Sequence, residues 1–217
     1  MNQILTEISE QLQKGKAKIV KELVTQALEA GVAAADILQE GLMPGMDVIA
    51  EKFKNNEVFV PEVLIAARAM NMGAEVLKPH LAEGGVRAIG KAIIGTVRGD
   101  LHDIGKNLVR MMLEGKGIEA VDLGVDVAPE RFLEAFQAEQ ADIVVLSALL
   151  TTTMGEMANT VDAFIKAGVR DGAVIMVGGA PVTQGFCDSI GADIYAADAA
   201  SAADAAKAAI LQKRGVV

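Results

Sequence analysis

Apolar residues recur at helical spacing throughout the N-terminal part of the chain. Two such stripes end just before Gly15 and Gly31, and glycine commonly follows the last turn of a helix. The pattern further predicts a short helix over residues 33–40, a helix that starts at Pro44, and a long helix over 61–77. Because the links between these stretches are short, we predict a small bundle of antiparallel helices.

Beyond Lys91 the pattern changes to short, continuous apolar runs that alternate with helical periodicity. The runs predict strands over 92–97, 120–123, 142–146, 174–177 and 193–195, and helices over 105–114, 129–139, 155–167, 184–190 and 201–212. Strands that are apolar throughout are buried on both faces, which is typical of a parallel sheet covered by helices on both sides. Five such units predict a flavodoxin-like, doubly wound sheet with strand order 2-1-3-4-5.

The change of pattern falls at residues 82–85, Ala-Glu-Gly-Gly, which we predict to be a linker and a hinge. We therefore expect a helical bundle domain over residues 1–86 and a Rossmann-like domain over residues 87–217.

Composition narrows the class of protein. The net charge of −9 argues against a nucleic-acid partner, because nucleic-acid surfaces usually carry a basic patch. The single cysteine, Cys187, excludes an internal disulfide, and we expect it to be a small buried apolar residue. No secretory signal and no apolar run of membrane-spanning length is visible, so we expect a cytoplasmic protein with no membrane partner.

The loop after the first predicted strand carries Asp100 and His102, two positions apart. A carboxylate that accepts a hydrogen from Nδ1 of a histidine fixes its tautomer and leaves Nε2 free to bind a metal. The other interpretation is a surface histidine that pairs with Asp100. Because one His and one Asp cannot complete a zinc site, the remaining ligands of any metal would have to come from a cofactor.

The segment Asp100-Leu101-His102-Asp103-Ile104-Gly105 resembles the D-x-H-x-x-G motif of base-off/His-on corrinoid proteins. Residues 106–146 separate it from Ser147-Ala148-Leu149, and residues 150–177 separate that element from Gly178-Gly179. Both spacings are similar to those of the family. The other interpretation of Gly178-Gly179 is an ordinary turn between a strand and a helix.

This resemblance implies a cobalamin cofactor with His102 as the lower axial ligand of cobalt, and a proton relay formed by Asp100, His102 and Thr153. It also implies that the nucleotide tail of the corrinoid lies in a crevice at the carboxyl ends of the strands. The implied cofactor-binding residues are Gly99, Asp100, Leu101, His102, Asp103, Ile104, Gly105, Ser147, Leu149, Thr151, Thr152, Thr153, Gly178, Gly179, Ala180 and Ala199. Arg98 and Lys106 flank the motif and are candidates to face a phosphate or amide group of the cofactor.

The N-terminal part also shows a resemblance. The segments 41–46, Gly-Leu-Met-Pro-Gly-Met, and 58–63, Val-Phe-Val-Pro-Glu-Val, look like the helical cap of methionine synthase and of methyltransferase corrinoid proteins. The alignment implies that Phe53, Val60 and Val63 cover the upper face of the corrin. The other interpretation places all three in the core of the bundle, where apolar residues at helical spacing usually lie.

The resemblance implies a corrinoid methyl carrier, a subunit that does not act as an enzyme alone. A substrate:corrinoid methyltransferase would load it, an acceptor methyltransferase using tetrahydrofolate or a thiol would unload it, and a reductive activase would restore the cobalt. The alternatives are a cobalamin-dependent sensor or regulatory module and the cobalamin subunit of an adenosylcobalamin mutase. The cap and the absence of tryptophan favour the carrier, and the sequence does not indicate the methyl donor.

Overall fold

The computed structural model describes residues 3–83 and 88–215, which form ten α-helices and five strands. The helices that precede the sheet are α1 (Gln3–Gln13), α2 (Ala17–Glu29), α3 (Ala34–Asp36), α4 (Met43–Lys54) and α5 (Val60–Glu83). The later elements are β1 (Gly90–Thr96), α6 (Ile104–Gly115), β2 (Ile118–Asp122), α7 (Pro129–Glu139), β3 (Ile143–Ser147), α8 (Gly155–Lys166), β4 (Val174–Gly178), α9 (Gln184–Ile190), β5 (Ile194–Ala196) and α10 (Ala199–Lys213). Within the described ranges, no helix is long and apolar enough to cross a membrane.

The chain divides into two compact units at residue 88, with residues 115–117 grouped with the first unit. In the first unit, the apolar stripes of the helices meet in a common aliphatic core. Its fully buried side chains include Ile8, Leu12, Val20, Val24, Ile37, Leu42, Val63 and Leu77. The predicted linker residues Gly84 and Gly85 lie outside the described residues.

The predicted break between residues 40 and 44 is wrong. A π-helix, Ile37–Leu42, connects α3 to α4 without interruption, and the Met43 N–H donates to the carbonyl of Leu38, five positions back. In an α-helix the ring of Pro44 would clash with the carbonyl of Glu40, four positions back. The wider π turn moves that carbonyl away, so the chain continues as a helix across the proline.

The second unit contains a five-stranded, all-parallel sheet in the order β2-β1-β3-β4-β5, as the apolar runs predict. The predicted strands differ from the observed ones by one or two residues, mainly because β1 and β2 begin earlier, at Gly90 and Ile118. Helices α7 and α9 match their predicted bounds.

Helices cover both faces of the sheet. A Cβ at Gly95 of β1 would touch Phe132 of α7, whereas a Cβ at Gly90 of the same strand would touch Ile210 of α10. Because odd and even positions of a strand point to opposite faces, α7 and α10 lie on opposite sides. The core on the α7 side also includes buried residues of α8 and α9, among them Cys187, which is buried as the sequence indicates.

Candidate functional site

The strand register aligns the separate sequence elements at the carboxyl edge of the sheet. Thr96 at the end of β1 pairs with Ser147 at the end of β3, and Ser147 pairs with Gly178 at the end of β4. The loop that follows β1 carries His102. Because β1 and β3 are neighbours from which the chain continues in opposite directions across the sheet, this edge is the switch point where α/β proteins bind ligands.

Asp100 is completely buried beneath this edge and accepts hydrogen bonds from five donor groups. Its Oδ1 lies 2.7 Å from Nδ1 of His102 and accepts from the backbone N–H of His102 at 3.1 Å. Its Oδ2 accepts from the backbone N–H groups of Leu149 (2.8 Å) and Leu150 (3.2 Å) and from the Thr153 hydroxyl (2.8 Å). The Thr153 hydroxyl also lies 2.9 Å from the carbonyl of Leu150, but its single proton favours the charged acceptor.

These hydrogen bonds determine the ionisation of Asp100. Burial acts to raise the pKa of the Asp100 carboxyl, but the hydrogen bonds from His102, Leu149 and Thr153 outweigh it and hold the pKa well below its usual range. Asp100 is therefore an ionised carboxylate at neutral pH and can only accept hydrogen bonds. The proton in the contact must sit on Nδ1 of His102, so the neutral ring carries its lone pair on Nε2.

The His102 side chain is 50% exposed although its Nδ1 contacts the buried Asp100, so the side chain remains accessible to an incoming group. Its main chain is held on both sides: the N–H donates to Asp100, and the carbonyl accepts from the Thr96 hydroxyl at 2.8 Å. The imidazole is thus an exposed ligand on a fixed backbone.

Large apolar side chains surround His102 without being buried. Leu101 and Ile104 are 72% and 73% exposed, and Leu149 and Leu150 on the β3 side are 43% and 41% exposed. Leaving several such side chains in water together costs free energy, and exposed clusters of this kind usually mark binding surfaces. The exposed imidazole therefore stands among apolar groups that suit a large, flat, partly apolar ligand.

The loop after β2 holds the His102 loop from the other side. Asp126 accepts from the Gly99 N–H at 2.7 Å and donates its own N–H to the carbonyl of Asp100 at 3.0 Å. Gly99 has a φ of +79°, a conformation that glycine adopts without strain. Neither Asp126 nor Thr96 belongs to a sequence motif, so neither is among the predicted site residues, and only the fold brings them to the loop.

Lys106 occupies a position that differs from the expectation, whereas the expectation for Arg98 stays a prediction. Lys106 is buried, and its Nζ donates to Oδ1 (2.6 Å) and Oδ2 (2.5 Å) of Asp122 and to Oδ1 of Asn107 (2.9 Å). Arg98 donates to Glu130 at 3.0 Å. The Lys106 ammonium is buried and already pairs with Asp122 and Asn107, so the expectation that it faces a cofactor is wrong.

The glycine pair has a structural reason of its own. Gly179 has a φ of +129°, and a Cβ there would stand 1.8 Å from the carbonyl oxygen of Ala148, so only glycine allows this close approach of the backbones. A Cβ at Gly178 would lie 3.2 Å from the carbonyl oxygen of Ala196. The neighbouring Ala180 is exposed.

The remaining predicted residues are distributed as follows. Thr151 and Thr152 are exposed beside buried Thr153, whereas Ala199 is buried in the first turn of α10.

Near the start of α6, Asp103 is exposed and accepts a hydrogen bond from the Asn107 side chain at 3.2 Å. Gly105 is exposed in the first turn of α6, where a Cβ would meet nothing within 4 Å.

In the first unit, Phe53 and Val60 are half-buried and Val63 is fully buried within the bundle. Their predicted position above a corrin remains a prediction. His80 is exposed near the end of α5.

In the described part of the chain, no group of three or more His, Cys, Asp or Glu side chains is arranged to hold a metal ion. A metal bound at His102 would therefore have to take its other ligands from a cofactor.

Comparison with known proteins gives matches over both units. Residues 90–207 match one family model of the B12 binding domain, and residues 4–78 match a second model with the same description. The chain is 40% identical over 210 residues to trimethylamine corrinoid protein 2 of Methanosarcina acetivorans, covering 96% of this chain and 97% of that protein. It is 37% identical over 206 residues to a corrinoid protein of Desulfitobacterium hafniense, covering 94% of this chain and 95% of the relative.

Solved structures are similar over most of the chain. A chain of the methanol:cobalamin methyltransferase complex from Methanosarcina barkeri superposes with a TM-score of 0.86 at 32% identity, covering 96% of this chain and 80% of that one. A cobalamin-binding protein from Desulfitobacterium hafniense superposes with a TM-score of 0.79 at 30% identity, covering 94% and 98%.

Proposed function

Because this chain belongs to the family of B12-binding corrinoid proteins, we propose that it is a methyl carrier whose corrinoid is held with His102 as the lower axial ligand of cobalt. One observation carries the proposal: an exposed imidazole is fixed through Nδ1 by a buried, ionised Asp100. That arrangement directs the free lone pair of Nε2 outward as a neutral nitrogen ligand.

The residues present fit a corrinoid. A corrin would supply four nitrogen ligands to its cobalt, so the protein would have to add only one nitrogen ligand, which matches the single imidazole of His102. The exposed Leu101, Ile104, Leu149 and Leu150 are suited to apolar contact with the underside of a macrocycle. The open space beside Gly105 leaves room for close approach at the start of α6.

The edge of the sheet suits the nucleotide tail of a base-off corrinoid. Ser147, Gly178, Gly179 and Ala180 are small residues at or just beyond the ends of β3 and β4, and a long polar tail needs such a crevice. Thr151 and Thr152 expose hydroxyl groups at the same end of the sheet. We assign a weaker tail contact to Ala199, which is buried at the start of α10.

The bound corrinoid would supply a cobalt centre that accepts and releases a methyl group. The part played by this chain is to hold and release the imidazole and to manage its proton. A proton taken up at Nε2 prevents ligation, and the Asp100 carboxylate, itself held by Thr153, stabilises the resulting imidazolium. Asp100, His102 and Thr153 would in this way couple ligation to protonation.

The carrier role requires partners. We propose that a substrate:corrinoid methyltransferase loads the protein and that an acceptor methyltransferase, using tetrahydrofolate or a thiol, unloads it. A reductive activase would return oxidised cobalt to the active state. The helical unit, with Phe53, Val60 and Val63, would shield the upper face of the corrin between these encounters.

Reconstitution of the purified protein with hydroxocobalamin tests His102 ligation. We expect the absorption spectrum of the bound corrinoid to change on His102→Ala, because the axial nitrogen is lost. The matched control is His80→Ala, which removes the other histidine of the chain and should leave the spectrum unchanged. A wild-type protein that binds no corrinoid, or a spectrum indifferent to His102→Ala, would contradict the proposal.

A further inference from the structure

Thr96 is a fully buried polar residue at the end of β1, and its hydroxyl donates to the carbonyl oxygen of His102 at 2.8 Å. A threonine hydroxyl that is buried away from water requires such a partner, because an unsatisfied one costs free energy. The contact therefore ties the last residue of a core strand to the backbone of the candidate ligand, six positions further along the chain.

Thr96 is itself held in place. Its N–H donates to the carbonyl of Gly124 at 3.0 Å, its carbonyl accepts from the N–H of Val127 at 2.9 Å, and it pairs with Ser147 of β3. Because its branched Cβ also restricts the side-chain torsion, the hydroxyl has a defined position and direction. A carbonyl that accepts a hydrogen bond from this hydroxyl is therefore held in a fixed position relative to the sheet.

His102 needs such an anchor because half of its side chain is exposed. Asp100 contacts the ring at Nδ1 and the backbone at the N–H, and both contacts are made by a single carboxylate oxygen. The hydrogen bond from Thr96 acts at the other end of the residue, on the carbonyl. Two anchors on opposite sides of the Cα define the direction in which the ring leaves the backbone, which one anchor leaves free.

We propose that Thr96 is a positioning residue that fixes the backbone of His102 and thereby sets the direction from which its imidazole approaches cobalt. The role toward cobalt rests on the proposed function. The anchoring of the loop does not depend on it, and the two parts are tested by separate measurements.

Three substitutions at Thr96 test the role of its hydroxyl, and a fourth at another position serves as the control. Thr96→Val keeps the shape and removes the hydroxyl, whereas Thr96→Ser keeps the hydroxyl and removes a methyl group. Thr96→Ala removes both. The matched control is Thr160→Val, because Thr160 is also fully buried and its hydroxyl also donates to a backbone carbonyl, that of Glu156 at 2.8 Å within α8.

Amide hydrogen exchange in the protein without cofactor measures the anchoring. We expect the amides of His102 and Asp103 to exchange about three- to tenfold faster in Thr96→Val than in the wild type, as the loss of one hydrogen bond predicts. The amides of β1 should change less than those of the loop. Thr96→Ser should behave like the wild type, and Thr160→Val should leave the loop unchanged.

The cobalt measurement uses the protein reconstituted with cobalamin and reduced to Co(II), in which nitrogen splitting of the EPR signal reports a bound imidazole. We expect the ratio of His-bound to His-free cobalt to fall about three- to tenfold in Thr96→Val. Thr96→Ser should restore the wild-type ratio.

A Thr96→Val protein whose loop exchange and EPR ratio equal those of Thr160→Val would overturn the inference. If Thr96→Val does not fold, the comparison of Thr96→Ala with Thr96→Ser decides, because these two differ only in the hydroxyl, and equal behaviour would refute the role. Failure of the proposed function would give a different result. The absorption spectra of the wild type and of His102→Ala, both reconstituted with cobalamin, would then be the same, whatever the exchange rates of the loop.

Discussion

The Thr153 hydroxyl donates a hydrogen bond of 2.8 Å to Oδ2 of Asp100, although 53 positions separate the two residues in the chain. With the N–H groups of Leu149 and Leu150, it turns one oxygen of Asp100 toward the β3–α8 loop and leaves the other oxygen for His102. A single buried carboxylate thus joins the loops that follow the neighbouring strands β1 and β3. The hydrogen bond from the His102 side chain lowers the pKa of Asp100 most, and those from Leu149 and Thr153 lower it further.

The buried charge of Asp100 makes stability depend on pH. The hydrogen bonds lower its pKa in the folded protein relative to the ordinary value of 3.8, so the unfolded chain takes up a proton first as the pH falls. The contribution of Asp100 is therefore present in full at neutral pH and is lost on acidification below about pH 5.

We expect Asp100→Asn to lower the free energy of unfolding by about 1–3 kcal/mol at pH 7, because charge-assisted hydrogen bonds are lost. The difference from the wild type should narrow at pH 3, because the wild type then loses part of the stability that ionised Asp100 contributes. Asp122, whose pKa is also lowered, titrates in both proteins, so its effect on the difference cancels. Urea unfolding at the two pH values measures this. An equal difference at both would contradict the assignment of an ionised Asp100.

The two members of the Lys106–Asp122 pair should differ in the cost of their removal. The Lys106 side chain is 2% exposed and that of Asp122 is 28% exposed, so the charge that remains is buried in one variant and partly in water in the other. Asp122→Asn removes the carboxylate charge that faces the buried Lys106 ammonium and should lower the free energy of unfolding by about 3–5 kcal/mol. Lys106→Met leaves a carboxylate that water can reach and should cost about 1–3 kcal/mol. Denaturant unfolding of both variants checks the order, and the reverse order would refute the argument from burial.

Gly179 should tolerate no side chain even in the absence of a cofactor. Gly179→Ala has to relieve a contact of 1.8 Å with a backbone oxygen at a positive φ, so we expect a loss of at least about 2 kcal/mol in unfolding free energy. The matched control is Gly185→Ala in α9, where a Cβ meets nothing within 4 Å. Thermal unfolding compares the two, and similar melting temperatures would show that the β3–β4 contact adapts.

Gly105 should show the opposite behaviour. A Cβ there meets nothing within 4 Å, and alanine is the better helix former, so Gly105→Ala should be as stable as the wild type or gain up to about 1 kcal/mol. If a corrin approaches the start of α6 closely, the same methyl group should weaken cobalamin binding about tenfold. Equilibrium binding measures this effect, and unchanged affinity would mean that the cofactor does not contact Gly105.

The architecture could be predicted because apolar periodicity is a property of neighbouring residues. Alternation of continuous apolar runs with helical stretches was enough for the number of strands and their order, since few arrangements connect such units. The exception, the helix that continues through residues 37–44, depended on the π turn that accommodates Pro44. A pattern read at α-helical spacing does not contain that adjustment.

Only part of the candidate site could be predicted from the sequence. The resemblance pointed to Asp100, His102 and Thr153, and their hydrogen bonds now give these residues a geometry. Thr96 and Asp126 could not be predicted, because a threonine at the end of a strand or an aspartate in a turn does not by itself indicate a role in a site. The expectation for Lys106 is wrong, because its partner Asp122 lies at the end of β2, outside the helix that carries the lysine.

The order of residues along the chain thus determines which segments become helices and strands and which loop carries the imidazole. The folded structure decides which groups meet at that loop. Strand register places Thr96, Ser147 and Gly178 side by side, and the loops beyond them supply the donors that keep Asp100 ionised. The physical reason is that hydrogen bonds and burial act over a few ångströms in space, whereas the partners lie tens of positions apart in the chain.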